Sequence, residues 1–301
     1  PAILIQNYCD LTLEQMTVKG GDETCYTLSN NNGEIVIDGS TIVAGKGTKY
    51  GPFAFDVCRY ANYPSVHVTV KGASVIEGNV EISGTIGDNQ SRQLDIEGGT
   101  FKGAFKVVDQ PANIAISGGT FSDAVLPEYC AAGFIPTAND DGTYGVKKGA
   151  YVAVTLGGEK KEMPFPDAWL VANFGADAAT WTTEALEEKA ANELAKWQCY
   201  LFGLDPNKKD AKVVATAGQG TDEAIPLAVA NADASASPLV TGGYVTVAYV
   251  LMGSNDMGSN DGTAWTPVAT SDKRDGLKIP LTGTTYKFYR VDVTVTSAES
   301  N

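Results

Sequence analysis

Several residue patterns on which common enzymes and membrane proteins depend are missing from this sequence. Its five cysteines include no Cys-x-x-Cys pair, so a thiolate metal site is disfavoured, and their odd number leaves at least one unpaired. No run of about 18 apolar residues occurs, so no bilayer-spanning helix is predicted. The segment 44–48 is a poor phosphate-binding loop, because a glycine follows Lys46 where Ser or Thr is required.

Positive charge is also scarce. The 22 Lys and Arg residues against 36 Asp and Glu residues give a net charge of -14. Such a chain repels phosphate backbones and anionic lipid heads, which argues against nucleic acid and acidic membranes as partners. A hydrophobic fraction of 43% is that of a folded protein, and 301 residues suffice for two domains or for a repeat array with an attached module.

Short strand-like segments that end near a glycine recur through the first half of the chain. They are 11–14, 35–39, 68–72, 80–84, 94–98 and 114–118. Each places two apolar residues on one face. The segments 94–102 and 114–122 have nearly the same sequence, and both contain Gly-Gly-Thr-Phe. Because near-identical units tend to stack on one another, residues 1–148 are predicted to form a parallel β-helix, with a sandwich of short strands as the alternative.

The second half of the chain has a different pattern. Apolar residues at Leu186, Leu194 and Trp197 follow a helical stripe, and Gly203 suits a helix end, so the sequence predicts one α-helix over about 183–202. We expect this helix within a connector, residues 149–211. Alternating segments separated by Gly, Asn, Asp and Ser then predict a small antiparallel β-sandwich over 212–301.

Two stretches carry a family resemblance. The segment Gly118–Val146, with its Gly-Gly-Thr-Phe turn and its Asn-Asp-Asp-Gly-Thr-Tyr ending, resembles the end of the right-handed β-helix regions of large surface proteins of gut-dwelling bacteria. The run Trp197–Pro206 is similar to a Trp, Tyr and Gly-Leu-Asp-Pro module near the C-termini of related proteins, where a β-sandwich follows. The resemblance implies an extracellular protein, secreted or on a bacterial surface, and a polar cap at 139–144.

The start of the chain leads to a further expectation. It begins at Pro1 without a methionine and reads as though a strand has been entered midway. We therefore expect a fragment of a longer surface protein.

One aromatic segment, 49–64, is the strongest candidate for a binding site. It lies in the longest gap between repeats and contains Tyr50, Arg59, Tyr60 and Tyr63. Exposed Tyr and Arg side chains stack on sugars or anchor protein partners, and a bulge on a repeat array is a common place for them. The alternative is that these tyrosines simply pack on a neighbouring turn.

Candidates for chemistry are fewer. Parallel β-helices host polysaccharide lyases and hydrolases, which need converging carboxylates, and the sequence offers Asp38, Asp95 and Asp109. We expect these on solvated faces, and we expect an ordinary strand histidine at His67. No catalytic residue is predicted.

A second polar segment, 253–262, offers oxygen ligands for metal. Asp256 and Asp261, with neighbouring Asn side chains, could hold calcium, but the spacing and terminal Glu of an EF-hand are missing. A hairpin loop is the favoured interpretation, and no other cofactor is implied.

The predicted function follows from these observations. We expect a non-catalytic, adhesin-like interaction protein that binds a glycan or a host surface protein and does not insert into a membrane. The alternatives are a structural stalk of a larger surface protein and a polysaccharide lyase or hydrolase on a β-helix. Fold class alone does not decide among them.

Overall fold

The computed structural model describes residues 2–181, 183–256, 265–283 and 285–298. It is mainly β, with 47% strand and 11% helix, and contains parallel sheets and a few antiparallel sheets. The chain divides into two compact bodies, Pro1–Ala150 and Tyr151–Asn301, which we describe separately. In the described part of the chain, no helix has the length and apolar character needed to cross a membrane.

The N-terminal body consists of strands that join three parallel sheets in strict rotation. In chain order they are β1 (Ala2–Asn7), β2 (Leu11–Glu14), β3 (Thr17–Lys19), β4 (Thr24–Asn30), β5 (Gly33–Asp38), β6 (Thr41–Val43), β7 (Phe53–Cys58), β8 (Ser65–Lys71), β9 (Val75–Glu77), β10 (Asn79–Ser83), β11 (Ser91–Ile96), β12 (Thr100–Phe101), β13 (Phe105–Val107), β14 (Ile114–Ile116) and β15 (Thr120–Phe121). The first sheet has the order β1-β4-β7-β10-β13, the second β2-β5-β8-β11-β14, and the third contains β3-β6-β9-β12-β15.

Three consecutive strands, one in each sheet, form what we call a rung. Strands β1 to β3 are rung 1, and β13 to β15 are rung 5. The segment that joins the first sheet to the second within each rung is called the first turn. The first turns of rungs 1 to 5 are residues 8–10, 31–32, 59–64, 84–90 and 108–113.

Rows of branched apolar side chains form the core of this body. In the second sheet Ile35, Val68, Leu94 and Ile114 are successive partners across four strands, and all are buried. The alternation of a strand sends every second side chain to the same face, which explains the regular pattern of the sequence. Each such side chain contributes about 1.5–3 kcal/mol when fully buried, so a row stabilises the stack considerably.

The repeated Gly-Gly-Thr-Phe line marks equivalent positions in neighbouring strands of the third sheet. Phe101 pairs with Phe121, and their rings stack with centroids 5.0 Å apart. The two glycines have different roles. A Cβ on Gly118 would lie 2.3 Å from the carbonyl oxygen of Glu97, whereas Gly119 has a φ of +103°. The first glycine therefore permits close approach of two rungs, and the second permits the turn.

An antiparallel hairpin follows rung 5. It consists of β16 (Phe134–Ala138) and β17 (Tyr144–Leu156), and β17 also pairs antiparallel with β15 through Thr120 and Gly145. The polar turn expected at 139–144 connects these two strands, with the backbone N–H of Asn139 donating to the Thr143 carbonyl at 2.8 Å. The hairpin thus occupies the edge that β15 would otherwise present.

The C-terminal body combines short helices with antiparallel sheets. Its elements, continuing from β17, are β18 (Glu159–Pro166), α1 (Asp167–Phe174), α2 (Thr183–Glu187), α3 (Lys196–Phe202), β19 (Val214–Ala217), β20 (Ala224–Ala230), α4 (Pro238–Thr241), β21 (Val245–Ser254), β22 (Thr266–Ser271), β23 (Lys278–Pro280) and β24 (Phe288–Ser297). The antiparallel sheets have the orders β19-β20-β23 and β22-β21-β24. Single-turn 3-10 helices occur at Pro127–Tyr129 in the N-terminal body and at Ala176–Thr180 here. The sequence pattern did not predict β22.

The prediction of one helix over 183–202 is wrong. The chain leaves α2 at Glu187, folds back so that the Ala190 N–H donates to the Leu194 carbonyl at 2.8 Å, and begins α3 only at Lys196. The buried Asn192 explains the break, because its side-chain amide donates to the Ala211 carbonyl at 2.9 Å and cannot point to solvent. A satisfied buried amide outweighs the helix propensity of the segment, because propensity differences amount to less than about 1 kcal/mol per residue.

The expectation of a single helix in the connector fails at a second place. Helix α1 is a further helix of the predicted connector 149–211, in which only the helix over 183–202 was expected. Strand β18 ends at Pro166, which then serves as the residue before the first helical turn. A proline is compatible with a helix start because its missing N–H has no partner there.

Candidate functional site

Three exposed tyrosines gather on the first turns of rungs 1 and 3. Tyr8 follows β1, whereas Tyr60 and Tyr63 follow β7. The rings of Tyr8 and Tyr63 are 5.1 Å apart between centroids and tilted by 46°. Tyr60 belongs to the same turn as Tyr63, whose backbone N–H donates to the Tyr60 carbonyl at 3.3 Å. The pKa of Tyr8 is raised, first by desolvation and then by the phenols of Tyr63 and Tyr60. We call Tyr8, Tyr60 and Tyr63 the tyrosine patch.

Turn length explains how rings from rungs 1 and 3 come into contact. The first turn of rung 2 is only residues 31–32, whereas that of rung 3 runs over 59–64 and extends past it. Arg59 holds the longer turn, because its Nε donates to the Thr85 carbonyl at 2.6 Å and its guanidinium also donates to the Ala61 carbonyl. Arg59, predicted as a ligand-binding residue, is therefore engaged in fixing the backbone beneath the tyrosines.

Amide side chains fix the position of Tyr8. The side-chain amide of Gln6 donates to the Tyr8 hydroxyl at 2.7 Å and to the Asn31 side-chain oxygen at 2.9 Å. The side-chain amide of Asn32 donates to the Tyr8 carbonyl at 2.9 Å. The side-chain amide of Gln90, in the first turn of rung 4, donates to the Tyr63 carbonyl at 3.1 Å. The patch is thus preorganised, which lowers the entropy lost when a ligand binds.

Tyr50 lies apart from this patch. It precedes β7, whereas Tyr60 and Tyr63 follow it, and the six residues of β7 span about 17 Å. The Tyr50 ring is more than half exposed and carries the Lys49 ammonium 5.4 Å from its centroid. The structure therefore brings Tyr60 and Tyr63 together with Tyr8, which the sequence analysis missed. Segments 8–10 and 59–64 are equivalent turns, and aligning them in the sequence would have grouped Tyr8 with Tyr60 and Tyr63.

The single histidine lies on the outer face of the second sheet between two carboxylates. His67 Nε2 is 2.8 Å from an Asp95 oxygen, and His67 Nδ1 is 3.7 Å from a Glu34 oxygen. The Gln93 amide also donates to Asp95, at 2.7 Å. The other ring contact is the Thr69 hydroxyl at 3.4 Å. This is a partly exposed hydrogen-bonded cluster of an imidazole with carboxylates, not an imidazole aligned with a Ser or Cys nucleophile.

The three candidate carboxylates have separate partners. Asp38 pairs with Lys71 at 3.6 Å, and Asp95 belongs to the histidine cluster. Asp109, in the first turn of rung 5, accepts from the Gly84 backbone N–H at 2.8 Å. A polysaccharide hydrolase needs two carboxyl groups flanking one bond. Each of these three is instead engaged by its own neighbours.

A carboxyl pair on the first sheet, of which only Asp56 is fully buried, was not anticipated. Asp56 and Glu81 are cross-strand neighbours. Asp56 is 4% exposed and accepts from the Asn30 N–H and the Ser29 hydroxyl, and burial raises its pKa to about 8. Glu81 accepts from the Tyr26 hydroxyl at 3.1 Å, and burial also raises its pKa. Because both oxygens of Asp56 already accept bonds inside the protein, we interpret the pair as structural.

The candidate metal residues are only partly described. Asp256 follows the end of β21, and its backbone N–H donates to the Ser254 hydroxyl at 3.1 Å. Asp261 lies outside the described residues. Within the described ranges, no group of three or more His, Cys, Asp or Glu side chains is placed to hold a metal ion, and all five cysteines are free thiols.

The tyrosine patch is the site on which function is best argued. Comparisons with protein-family models, curated proteins and solved structures found no match to this chain. The ligand must therefore be inferred from the geometry of the tyrosine patch. Exposed aromatic faces beside side-chain amides can stack on apolar surface and exchange hydrogen bonds at the same time.

Proposed function

We propose that this chain is a non-catalytic, adhesin-like binding protein, secreted or on a bacterial cell surface, and that the tyrosine patch binds a glycan. The observation that carries the proposal is the fixed ring pair of Tyr8 and Tyr63, with centroids 5.1 Å apart at an exposed turn. A sugar ring presents an apolar C–H face and a rim of hydroxyls. Tyrosine offers a matching apolar face with a hydroxyl at its tip, at a small cost in side-chain entropy.

We further propose that the three parallel sheets close into a right-handed β-helix and that the antiparallel sheets pack as a β-sandwich. The strict rotation of strands among three sheets supports the first proposal. The two antiparallel three-stranded sheets support the second. The resemblance to β-helix surface proteins of gut bacteria agrees with both, and suggests a segment of a longer surface protein.

The state of the acidic residues favours binding over catalysis. The carboxyl pair Asp56 and Glu81 is occupied by internal hydrogen bonds, and Asp38 is paired with Lys71. A polysaccharide-cleaving enzyme is the second candidate, with the contact of His67 and Asp95 as its acid–base pair. A stalk is the third, and it predicts no specific ligand.

The experiment is a glycan and host-protein binding array with the whole chain and with Tyr60→Ala/Tyr63→Ala. Tyr50→Ala is the matched control, because Tyr50 is at least as exposed but lies beyond the other end of β7. We expect the double variant to lose about tenfold or more in affinity and the control to bind normally. Circular dichroism checks that both variants fold.

Other outcomes identify the alternatives. Retained binding in the double variant would place the site elsewhere, and equal losses in Tyr50→Ala and the double variant would contradict a site confined to the patch. Binding to proteins but not to glycans would leave the patch as a protein-binding surface and reject the glycan. Binding to nothing on the array would favour the stalk. Release of new reducing ends from a bound polysaccharide would favour the enzyme.

A further inference from the structure

A polar cleft lies at rung 5 of the N-terminal body. Its volume is about 460 Å³. It is lined by Gln93, Gln110, Pro111, Ala112, Asn113, Ile114, Glu128 and Tyr129. Gln110 to Asn113 belong to the first turn of that rung, Gln93 lies on the outer face of β11, and the last two belong to a 3-10 helix. Neither His67 and its two carboxylates nor the pair Asp56 and Glu81 lines the cleft, although the lining residue Gln93 donates to Asp95.

The chemistry of the lining points to a neutral, hydroxyl-rich ligand. Three of the lining side chains are amides, Gln93, Gln110 and Asn113, and each amide both donates and accepts hydrogen bonds. A sugar hydroxyl has the same dual character. The lining residues include no Lys or Arg, and Glu128 adds negative charge, so phosphate or uronate groups would be repelled.

Two of these amides and the tyrosine are held in place. The Gln93 amide donates to Asp95 at 2.7 Å, and the Gln110 side-chain oxygen accepts from the Ala112 N–H at 2.8 Å. The Tyr129 ring packs edge-on against Phe105, with centroids 6.0 Å apart, and partial burial raises its pKa. The cleft is therefore preformed, not assembled by the ligand.

The cleft and the tyrosine patch lie along one line of turns. Tyr8 belongs to the first turn of rung 1, Tyr63 to that of rung 3, and Gln110 to that of rung 5. Parallel strands are spaced about 4.8 Å apart, so the turn of rung 5 lies about 10 Å from that of rung 3 and about 19 Å from that of rung 1. A ligand that covers both the whole patch and the cleft therefore spans about 19 Å, the length of about four sugar units. Between them, Gln90 of rung 4 reaches back to the Tyr63 carbonyl.

We propose that the cleft is the second half of the glycan site, and that the ligand is a neutral, linear oligosaccharide running along the first turns, across the strands, from the tyrosine patch to the cleft. This inference rests on the proposed glycan binding of the patch. It adds a ligand class, a direction and a minimum length. The cleft binds one end of the oligosaccharide through hydrogen bonds, and the tyrosine patch binds the other end through aromatic stacking.

The test is isothermal titration calorimetry with the whole chain and two oligosaccharide series. One series is neutral, the β-1,4-linked gluco-, manno- and xylo-oligosaccharides of about two to six units, and the other is oligogalacturonates of the same lengths. The cleft variant is Gln93→Ala/Glu128→Ala, with Glu128→Gln as a milder second variant. Glu97→Ala is the matched control, because Glu97 is an exposed carboxylate near the other end of β11. Circular dichroism confirms folding.

The expected result is an affinity that rises with length in a neutral series and levels off at about four units. The cleft variant should lose about tenfold for the hexasaccharide and nothing for the disaccharide, and Glu97→Ala should bind normally. Tyr60→Ala/Tyr63→Ala should weaken both lengths.

Two results would overturn the inference alone. Tyrosine-dependent binding that is insensitive to length and to the cleft variants would leave the proposed function intact without the cleft. A preference for oligogalacturonates would reject the neutral ligand. If no saccharide of either series binds, the cleft proposal and the glycan function both fail.

Discussion

Tyr8 and Tyr63 belong to turns two rungs apart, yet their ring centroids are only 5.1 Å apart. The contact requires a short turn in rung 2 and a long one in rung 3, so it depends on the stacking of whole rungs. Both rings are more than a third exposed. The surface they form is thus created by the arrangement of three successive rungs.

The ring contact predicts a measurable coupling between the two tyrosines. We expect Tyr8→Ala and Tyr63→Ala to destabilise the N-terminal body non-additively, with a coupling free energy of about 0.5–1.5 kcal/mol, as for other aromatic pairs. A double-mutant cycle by urea denaturation measures it, with Tyr50→Ala/Tyr63→Ala as the control pair. Strict additivity in the Tyr8 cycle would contradict the contact.

The buried guanidinium of Arg92 bridges three backbone carbonyls of this body. Arg92 is 1% exposed, and its guanidinium donates to the carbonyls of Gly84, Asp109 and Pro111 at 2.6, 2.6 and 2.7 Å. Arg92→Met removes all three charge-assisted hydrogen bonds, so we expect a loss of about 3 kcal/mol in the free energy of unfolding.

The control for Arg92→Met is Lys46→Met, because Lys46 pairs with Asp22 at an 80% exposed site. Surface pairs of this kind contribute about 0–1 kcal/mol. Urea denaturation followed by circular dichroism compares the two variants, and similar midpoints would show that the buried guanidinium is dispensable.

The buried Asp56 predicts a fall in stability with rising pH. Its pKa is raised from 3.8 to about 8 in the folded protein. Between these values the folded state holds a proton that the unfolded state has released, so the free energy of unfolding decreases by at most about 1.4 kcal/mol per pH unit. Glu81, whose pKa is also raised, acts in the same direction.

Asp56→Asn tests this pH dependence, because asparagine mimics the neutral acid. We expect a flatter profile between pH 5 and 8 in urea titrations, roughly the window set by the two pKa values. The control, Asp22→Asn, removes an exposed carboxylate and should leave the slope unchanged. A wild-type profile that rises toward pH 8 would show that Asp56 is ionised in the folded state.

The glycine motif predicts a difference between two alanine substitutions. A Cβ at Gly118 would lie 2.3 Å from a backbone oxygen, whereas one at Gly133 would meet nothing within 4 Å and face only its φ of +79°. Gly133→Ala should cost about 1–2 kcal/mol of backbone strain. Gly118→Ala should cost more, because two rungs must separate. Thermal unfolding compares them, and equal losses would argue against close packing at Gly118.

Much of the local pattern was predictable. Alternating apolar residues and near-identical Gly-Gly-Thr-Phe lines predicted parallel strands in the first half, and Phe101 does stack on Phe121. Most antiparallel strands of the second half were also predicted. These features depend on side-chain alternation and on backbone constraints at glycine, which act within a few residues.

The alternation and glycine patterns of the chain are therefore enough to predict most of the strands and the side chains that face inward. Tertiary contacts, in contrast, are needed to bring Tyr8 to Tyr63 and to break the segment 183–202 at the buried Asn192. Contacts of this kind depend on register, turn length and hydrogen bonds to residues distant in the chain. Local helix and strand propensities are too weak to specify such contacts, because the propensity of one residue is worth less free energy than one buried hydrogen bond.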